Sequence, residues 1–180
     1  MGCLTPKSVR HLSETSQVSR QGWAKSRAPR LFVPGGVYHL NAHGLDDRPI
    51  FVDDADRQAF ALRLRRVAVR ESWGLYAVCL MDTHYHLVLQ PAGGLADGMR
   101  VLNGAHSRWF NKRHGRRGAL FETRYFERTI RDEEHLAGAV AYVHNNPVKA
   151  GMVDDPADWA WSTYPGCALR VLLSACLRGV

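Results

Sequence analysis

Two histidines separated by one residue are the first candidates for chemistry in this sequence. His84 and His86 stand in the run 83–89, whose length and apolar residues predict a β-strand. Because successive side chains of a strand point to opposite faces, both imidazoles share one face, where they can converge on one metal ion. Tyr85 points the other way. Ordinary hydrogen-bonding histidines would have the same spacing, so both interpretations stay open at this point.

A tyrosine and an asparagine four residues apart form the second candidate pair. Tyr142 and Asn146 lie on a predicted helix, so that the phenol and the amide occupy adjoining turns of one face. A tyrosine on an amphipathic helix is more often a core residue, and an asparagine before a proline more often ends a helix. The spacing makes joint chemistry feasible without establishing it.

A second polar set alternates along the predicted strand 37–43. His39, Asn41 and His43 share one face of it. They are candidates for metal binding, for DNA contact, or for hydrogen bonds at the floor of a site.

Basic residues are concentrated in one part of the chain. The segment 100–131 holds nine Lys and Arg against two Glu, with five aromatic residues interleaved. Cations with aromatic faces are typical of surfaces that bind single-stranded or hairpin nucleic acid, although at least half of these aromatics should be core. The turn after the second helix is the preferred phosphate contact, and the residues predicted to bind DNA are Lys112, Arg113, Arg116, Arg117 and Arg124.

The composition narrows the class of protein. The 180 residues carry 24 Lys and Arg against 17 Asp and Glu, a formal charge of +7, which favours a polyanionic partner. The four cysteines are widely spaced, which argues against a zinc cluster or a secreted disulfide framework and favours the cytoplasm. The sequence has no apolar run long enough to span a membrane. Residues 1–30 are basic without an apolar core, and predict a solvated tail instead of an export signal.

The elements that must position these residues follow from hydrophobic periodicity. Strands are predicted at 37–43, 73–80, 84–90 and 120–130, and helices at 54–71, 95–111 and about 131–146, with Pro147 stopping or kinking the last. Asp53 or Asp54 is the expected N-cap of the first helix. The order β-α-β-β-α-β-α predicts an α+β sandwich of the split-βαβ kind.

Several motifs together resemble one family. From about residue 30 to 164, roughly three quarters of the chain, the sequence is similar to the REP-associated tyrosine transposases, which belong to the single-tyrosine HUH transposases. The resemblance rests on PGGVYHL (34–40), LMDTHYHLVL (80–89), GALFETRY (118–125), YVHNNPVKAGMV (142–153) and the WSTY element (161–164).

The resemblance implies a ferredoxin-like fold with an antiparallel central sheet and helices packed on it. His84, His86 and Asn146 would then be metal ligands, for Mg²⁺ or Mn²⁺, and Tyr142 the nucleophile. The implied activity is cleavage and rejoining of single-stranded or hairpin DNA through a 5′-phosphotyrosine, by a monomer or homodimer. A phenol has a reference pKa near 10, so the nucleophile needs a nearby cation or base.

The expected organisation is a tail at 1–30, a catalytic domain at 31–166 and a short extension at 167–180. The chain departs from the family at His43-Gly44-Leu45, where relatives often carry Arg-Gly-Asn, which puts DNA contact from that turn in doubt. Two alternatives remain: a domesticated protein that binds DNA hairpins without strand transfer, and a metal-dependent hydrolase that uses a water on the histidine pair.

Overall fold

Four strands and five helices follow one another along the part of the chain that the structure describes. The structure is a computed structural model that describes Val33 and residues 35–179, so the predicted tail at 1–30 lies outside the described residues. The strands are β1 (Val37–His43), β2 (Gly74–Leu80), β3 (His84–Gln90) and β4 (Phe126–Ile130). The helices are α1 (Asp54–Arg70), α2 (Leu95–Arg113), α3 (Glu133–His144), α4 (Asn146–Lys149) and α5 (Ala168–Leu172). Single 3-10 turns occupy Leu45–Asp47, Pro156–Asp158 and Ser174–Cys176.

The strands form one sheet in the order β2-β3-β1-β4, with every neighbouring pair antiparallel. Helix α1 leads from β1 to β2, and β3 lies between these two strands, which is the split βαβ arrangement. The predicted α+β, ferredoxin-like fold is therefore confirmed. The prediction of an extended segment at 120–130 was too long, because only its second half pairs as a strand with β1.

One face of the sheet carries the larger core. In β1 the alternate residues Tyr38, Leu40 and Ala42 are buried there, as the two-residue period of a strand requires. They pack with α1 and α2, which lie against each other on this face. Leu169 and Leu173 belong to the same cluster, so residues of the predicted C-terminal extension contribute to the core. The predicted domain boundary at 166 stays a prediction.

The opposite face is covered by α3. Ala139 and Val143 of this helix pack on Ala77, Cys79 and Val88 of the sheet. Helix α3 contacts the sheet mainly at β2 and β3, and the polar residues of β1 on this face remain partly exposed. The helix therefore lies beside a polar strip of the sheet without burying it.

Helix α3 ends in a kink that the sequence predicted. Its N-cap is Asp132, whose carboxylate accepts from the backbone N–H of His135. Pro147 has no N–H to donate to the preceding turn, so α3 ends at His144 and α4 continues from Asn146 after one turn residue. The predicted helix N-cap Asp53 of α1 is likewise confirmed, since its side chain accepts from the N–H of Asp56.

The segment after α4 returns to the sheet, where it forms hydrogen bonds with β2 and contacts the end of α3. The N–H of Thr163 donates to the Val78 carbonyl at 2.9 Å, and Thr163 Oγ1 accepts from the Val78 N–H at 2.8 Å. His144 Nε2 lies 3.3 Å from the same hydroxyl. His144 is therefore turned toward this segment. Between residues 35 and 179, no helix is both long enough and apolar enough to cross a bilayer.

Candidate functional site

The two histidines of β3 lie on the face of the sheet that α3 covers. Their ring centroids are 5.0 Å apart, with the ring planes nearly perpendicular. Tyr85 between them is buried on the other face, where its hydroxyl donates to Asn103 Oδ1 at 2.6 Å. His86 is 3% exposed and His84 is partly exposed. The shared face predicted for the pair is observed.

The polar residues of β1 join the same face, because antiparallel pairing sets His43 opposite His84 and Asn41 opposite His86. The rings of His43 and His84 stack with centroids 4.7 Å apart. His39 Nε2 lies 3.1 Å from His86 Nδ1, within hydrogen-bonding distance. The two predicted constellations are therefore one cluster, and His39 supports His86 from the adjoining strand.

Tyr142 comes to this cluster from α3. Its ring meets His86 edge-on, with centroids 5.7 Å apart at 87°, and His39 with centroids 5.8 Å apart at 64°. The residue is 43% exposed. The alternative of a tyrosine enclosed in the core is wrong, and the phenol lies between the histidines and solvent.

Asn146 lies next to both histidines of β3. It is 8% exposed, and its side chain lies close enough to both rings to oppose part of the lowering of their pKa values. Its Nδ2 also approaches the Tyr142 carbonyl oxygen at 3.4 Å. The phenol of Tyr142 and the amide of Asn146 therefore remain on the same side of the chain, although the helix is interrupted between them.

Burial keeps the two imidazoles neutral. It lowers the pKa of His84 to about 4, with a further contribution from His43, and the pKa of His86 to about 2, with contributions from His84 and His39. The pKa of His39 is also lowered, first by burial and then by Arg128. A neutral imidazole is the form that binds a metal ion.

The donor set fits a divalent cation. Nδ1 of His86 lies 3.1 Å from His39 Nε2, and Nδ1 of His84 lies 3.1 Å from Thr83 Oγ1, so Nε2 of each ring is the nitrogen that could bind an ion. Across the described part of the chain, no three His, Cys, Asp or Glu side chains are arranged to hold a metal. A third protein donor would therefore be the amide oxygen of Asn146.

Lys149 is a residue of the site that sequence reasoning missed. Its Nζ lies 4.4 Å from the centroid of the Tyr142 ring. Its seven-residue spacing from Tyr142 equals two turns of an unbroken helix, but the break before α4 means that this spacing did not specify the contact. Helix α4 therefore places a cation over the face of the Tyr142 ring.

The five residues predicted to bind DNA are in unequal environments. Lys112 and Arg113 lie in the last turn of α2 and not in a loop. Arg113 forms ion pairs with Asp53 and with buried Asp56. Arg116 lies over the Phe110 ring. Lys112, Arg117 and Arg124 are exposed and form no such contact with the residues that the structure describes.

Two residues of β4 share the histidine face. Phe126 pairs with Asn41 and Arg128 with His39, so their side chains project on the same side of the sheet. Phe126 is 44% exposed, whereas Phe110 and Tyr125 are buried. Of the aromatics interleaved with the basic residues, Phe126 therefore offers the exposed surface beside the site.

Comparisons with known proteins agree with this geometry. A family model described as "Transposase IS200 like" matches residues 35–146, more than half of the chain and all of the site except Lys149. The chain therefore belongs to the IS200-like transposase family. Enzymes of this family act on DNA, and the chain is a transposase by class.

Two relatives make the comparison more particular. A Haemophilus influenzae protein named as a REP-associated tyrosine transposase is 26% identical over 147 residues, 75% of this chain and 83% of that protein. A solved structure of a REP-associated tyrosine transposase bound to a REP hairpin superposes with a TM-score of 0.67 at 20% identity, covering 86% of this chain and 92% of that one. The second match establishes the fold. The resemblance seen in the motifs is confirmed.

Proposed function

We propose that this transposase cuts and rejoins single-stranded or hairpin DNA through a covalent bond to Tyr142, with a divalent ion held by His84, His86 and Asn146. The observation that carries the proposal is the position of the Tyr142 ring, partly exposed and edge-on to His86. A nucleophile must be accessible to its substrate and adjacent to the group that activates the phosphate. The exposure of the Tyr142 ring and its contact with His86 support this role.

The residues of the cluster have separate roles in the proposal. His84 and His86 supply neutral Nε2 atoms, Asn146 supplies an amide oxygen, and His39 orients His86 through Nδ1. When bound, Mg²⁺ or Mn²⁺ supplies Lewis-acid polarisation of a phosphate oxygen. Lys149 stabilises negative charge at the phenol oxygen.

The chemical step is a substitution at phosphorus. The Tyr142 oxygen forms a bond to the phosphorus of the scissile phosphodiester, and the bond from phosphorus to the 3′-oxygen breaks. The phenol proton leaves and the 3′-oxygen takes one up, which gives a 5′-phosphotyrosine and a free 3′-hydroxyl. One phosphodiester replaces another, so the same hydroxyl, or that of another strand, can reverse the step without an external energy source.

The substrate class is supported by exposed cations and by one exposed aromatic ring. Lys112, Arg117 and Arg124 are exposed cations, and Phe126 and Arg128 lie on the histidine face beside β1. Basic side chains contact phosphates, and an exposed aromatic ring stacks on an unpaired base. The structural relative bound to a REP hairpin supports a hairpin with a single-stranded flank as the substrate to test.

The direct test replaces the phenol by a ring of the same shape. Tyr142→Phe should abolish the covalent DNA–protein adduct on a hairpin with a single-stranded flank in Mn²⁺, while hairpin affinity stays within about twofold, because the ring contacts persist without the hydroxyl. The adduct is measured by denaturing gel electrophoresis and the affinity by fluorescence anisotropy. Tyr164→Phe is the matched control, since that ring packs on His144 away from the cluster.

The possible outcomes separate the candidate functions. An adduct that persists in Tyr142→Phe would assign the nucleophile elsewhere. Cleavage without any adduct, sensitive to His84→Ala but not to Tyr142→Phe, would indicate a hydrolase that uses a metal-bound water. Binding without cleavage by the unmodified protein would indicate a hairpin-binding protein without strand transfer.

A further inference from the structure

A hollow on the outer side of α3 and α4 adjoins the Tyr142 ring. It is a shallow depression of about 490 Å³ that is open to solvent. It is lined by Gly138, Ala141, Tyr142, Asn145, Val148 and Lys149. No histidine of the cluster lines it, so the Tyr142 ring both contacts the histidines and borders the hollow.

We propose that this hollow holds one unpaired nucleotide of the DNA substrate, next to the phosphate that Tyr142 attacks, with Lys149 binding the phosphate of that nucleotide. The inference rests on the proposed function for the identity of the attacked phosphate. It adds a nucleotide subsite on the helices, separate from the sheet and from the exposed cations of the α2 end.

The lining has the chemistry of a nucleotide site. Ala141 and Val148 give an apolar surface on which a base can pack, and Lys149 gives a cation at the rim beside the reacting ring. Asn145 Nδ2 donates to the Ala141 carbonyl at 2.8 Å, which leaves the amide oxygen to accept from a base. A hollow with an apolar surface and a cation at its rim is suited to a nucleotide, which has a flat base and a negatively charged phosphate.

The hollow is kept open by small residues. Gly138 is a glycine inside a helix, where it costs stability relative to alanine. A Cβ at this position would meet no atom within 4 Å, so packing does not require the glycine. Helical side chains tilt toward the N-terminus, so a large residue at Ala141 would lie over Gly138 and occupy this space.

The test fills the hollow without entering the core. Ala141→Phe, made in a Tyr142→Phe background and measured without divalent metal, should weaken affinity for a hairpin with a single-stranded flank about tenfold, because the stacked base is displaced. Ala137→Phe is the matched control: it adds the same ring to another exposed alanine of α3 that does not line the hollow. The control should bind as the background protein does.

The role of Lys149 is tested by removing its positive charge and then restoring it. Lys149→Met should weaken the same binding and reduce its dependence on salt, and Lys149→Arg should restore both, because the arginine keeps the cation. Photocrosslinking with 5-iodouracil placed at successive positions of the flank should label α3 or α4 from a single position. Ala141→Phe should remove that crosslink.

The outcomes distinguish this subsite from the catalytic proposal. If the protein forms a Tyr142-dependent adduct but Ala141→Phe binds and crosslinks unchanged, the subsite is wrong and the catalytic proposal stands. If no adduct forms with any substrate while Ala141→Phe loses binding and the crosslink, the hollow still binds DNA and the catalytic proposal fails. Equal losses in Ala141→Phe and Ala137→Phe, seen with lowered thermal stability, would also overturn the subsite.

Discussion

At the scale of single residues, His86 is the most constrained side chain of the candidate site. Its Nδ1 lies 3.1 Å from His39 Nε2, its ring is nearly perpendicular to the Tyr142 ring, and the Asn146 side chain lies beside it. Burial and the neighbouring histidines hold its pKa so low that the ring stays neutral at any physiological pH. His39 thus determines which nitrogen of His86 is available to an ion.

His39→Ala should lower the affinity for Mn²⁺ about 10- to 100-fold, because the hydrogen bond that orients the ligand is lost. Calorimetric titration of the protein with Mn²⁺, without DNA, measures this directly. His135→Ala is the control, since that ring accepts from the Arg131 N–H and is not one of the rings in contact with His86. Equal Mn²⁺ affinities for the two variants would show that His39 does not support the ligand.

At the scale of elements, α2 brings a second kind of histidine into the larger core. His106 is fully buried among Phe51, Phe60 and Phe110, and its Nε2 lies 2.9 Å from the Ile50 carbonyl. Burial lowers the pKa of His106 to about 4, so the folded protein holds the ring neutral. This histidine is part of the packing and not of the site.

The stability of the fold should therefore fall with acid. His106 has an ordinary pKa near 6.5 when unfolded, so below that pH the unfolded chain takes up a proton that the folded chain excludes until about pH 4. The free energy of unfolding should drop by about 1.4 kcal/mol per pH unit from this group across that window.

Urea denaturation at pH 7, 6 and 5 measures that slope. His106→Gln keeps a donor for the Ile50 carbonyl but cannot titrate, so its pH slope should be smaller by this amount even if its stability is lower at every pH. His135→Gln, on the partly exposed surface of α3, serves as the control. An unchanged slope in His106→Gln would mean that other groups account for any acid sensitivity.

At the scale of the whole molecule, some basic side chains form ion pairs that stabilise the fold, and others are exposed to solvent. Arg113 ties α2 to the start of α1 through Asp53 and Asp56, and its hydrogen bond is the largest cause that lowers the pKa of Asp53 to about 2. Arg117 lies exposed a few residues further on. Net charge by itself therefore overstates the cations available to DNA.

Substitution of Arg117 should change DNA binding, whereas substitution of Arg113 should change the stability of the fold. Arg117→Gln should leave thermal stability unchanged but lower the slope of log affinity against log salt by about 0.7–0.9, the share of one phosphate contact. Arg113→Gln should cost about 1–3 kcal/mol of stability, because buried Asp56 loses a charged partner. Thermal unfolding and anisotropy titrations in a salt series measure both. If Arg113→Gln kept its thermal stability and lowered the slope of log affinity against log salt, Arg113 would be a DNA contact and not a structural residue.

Much of the fold and part of the site followed from local patterns. The two-residue period of a strand predicted β1 and β3 and placed the histidines of each strand on one face of the sheet. Pro147 predicted the break after α3. The bounds of β4 were not predictable in this way, because a strand at the edge of the sheet is defined by its partner, and only Phe126–Ile130 pairs with β1.

The sequence by itself determined the order of the elements, the shared face of His84 and His86, and the adjacent turns of Tyr142 and Asn146, because each is a relation between near neighbours in the chain. The tertiary structure alone decided that His39 and His43 join the same cluster, that Lys149 lies over the phenol, and that Arg113 is paired with carboxylates. Those relations depend on strand register, on a helix kink and on helices meeting across the core, which no local spacing specifies.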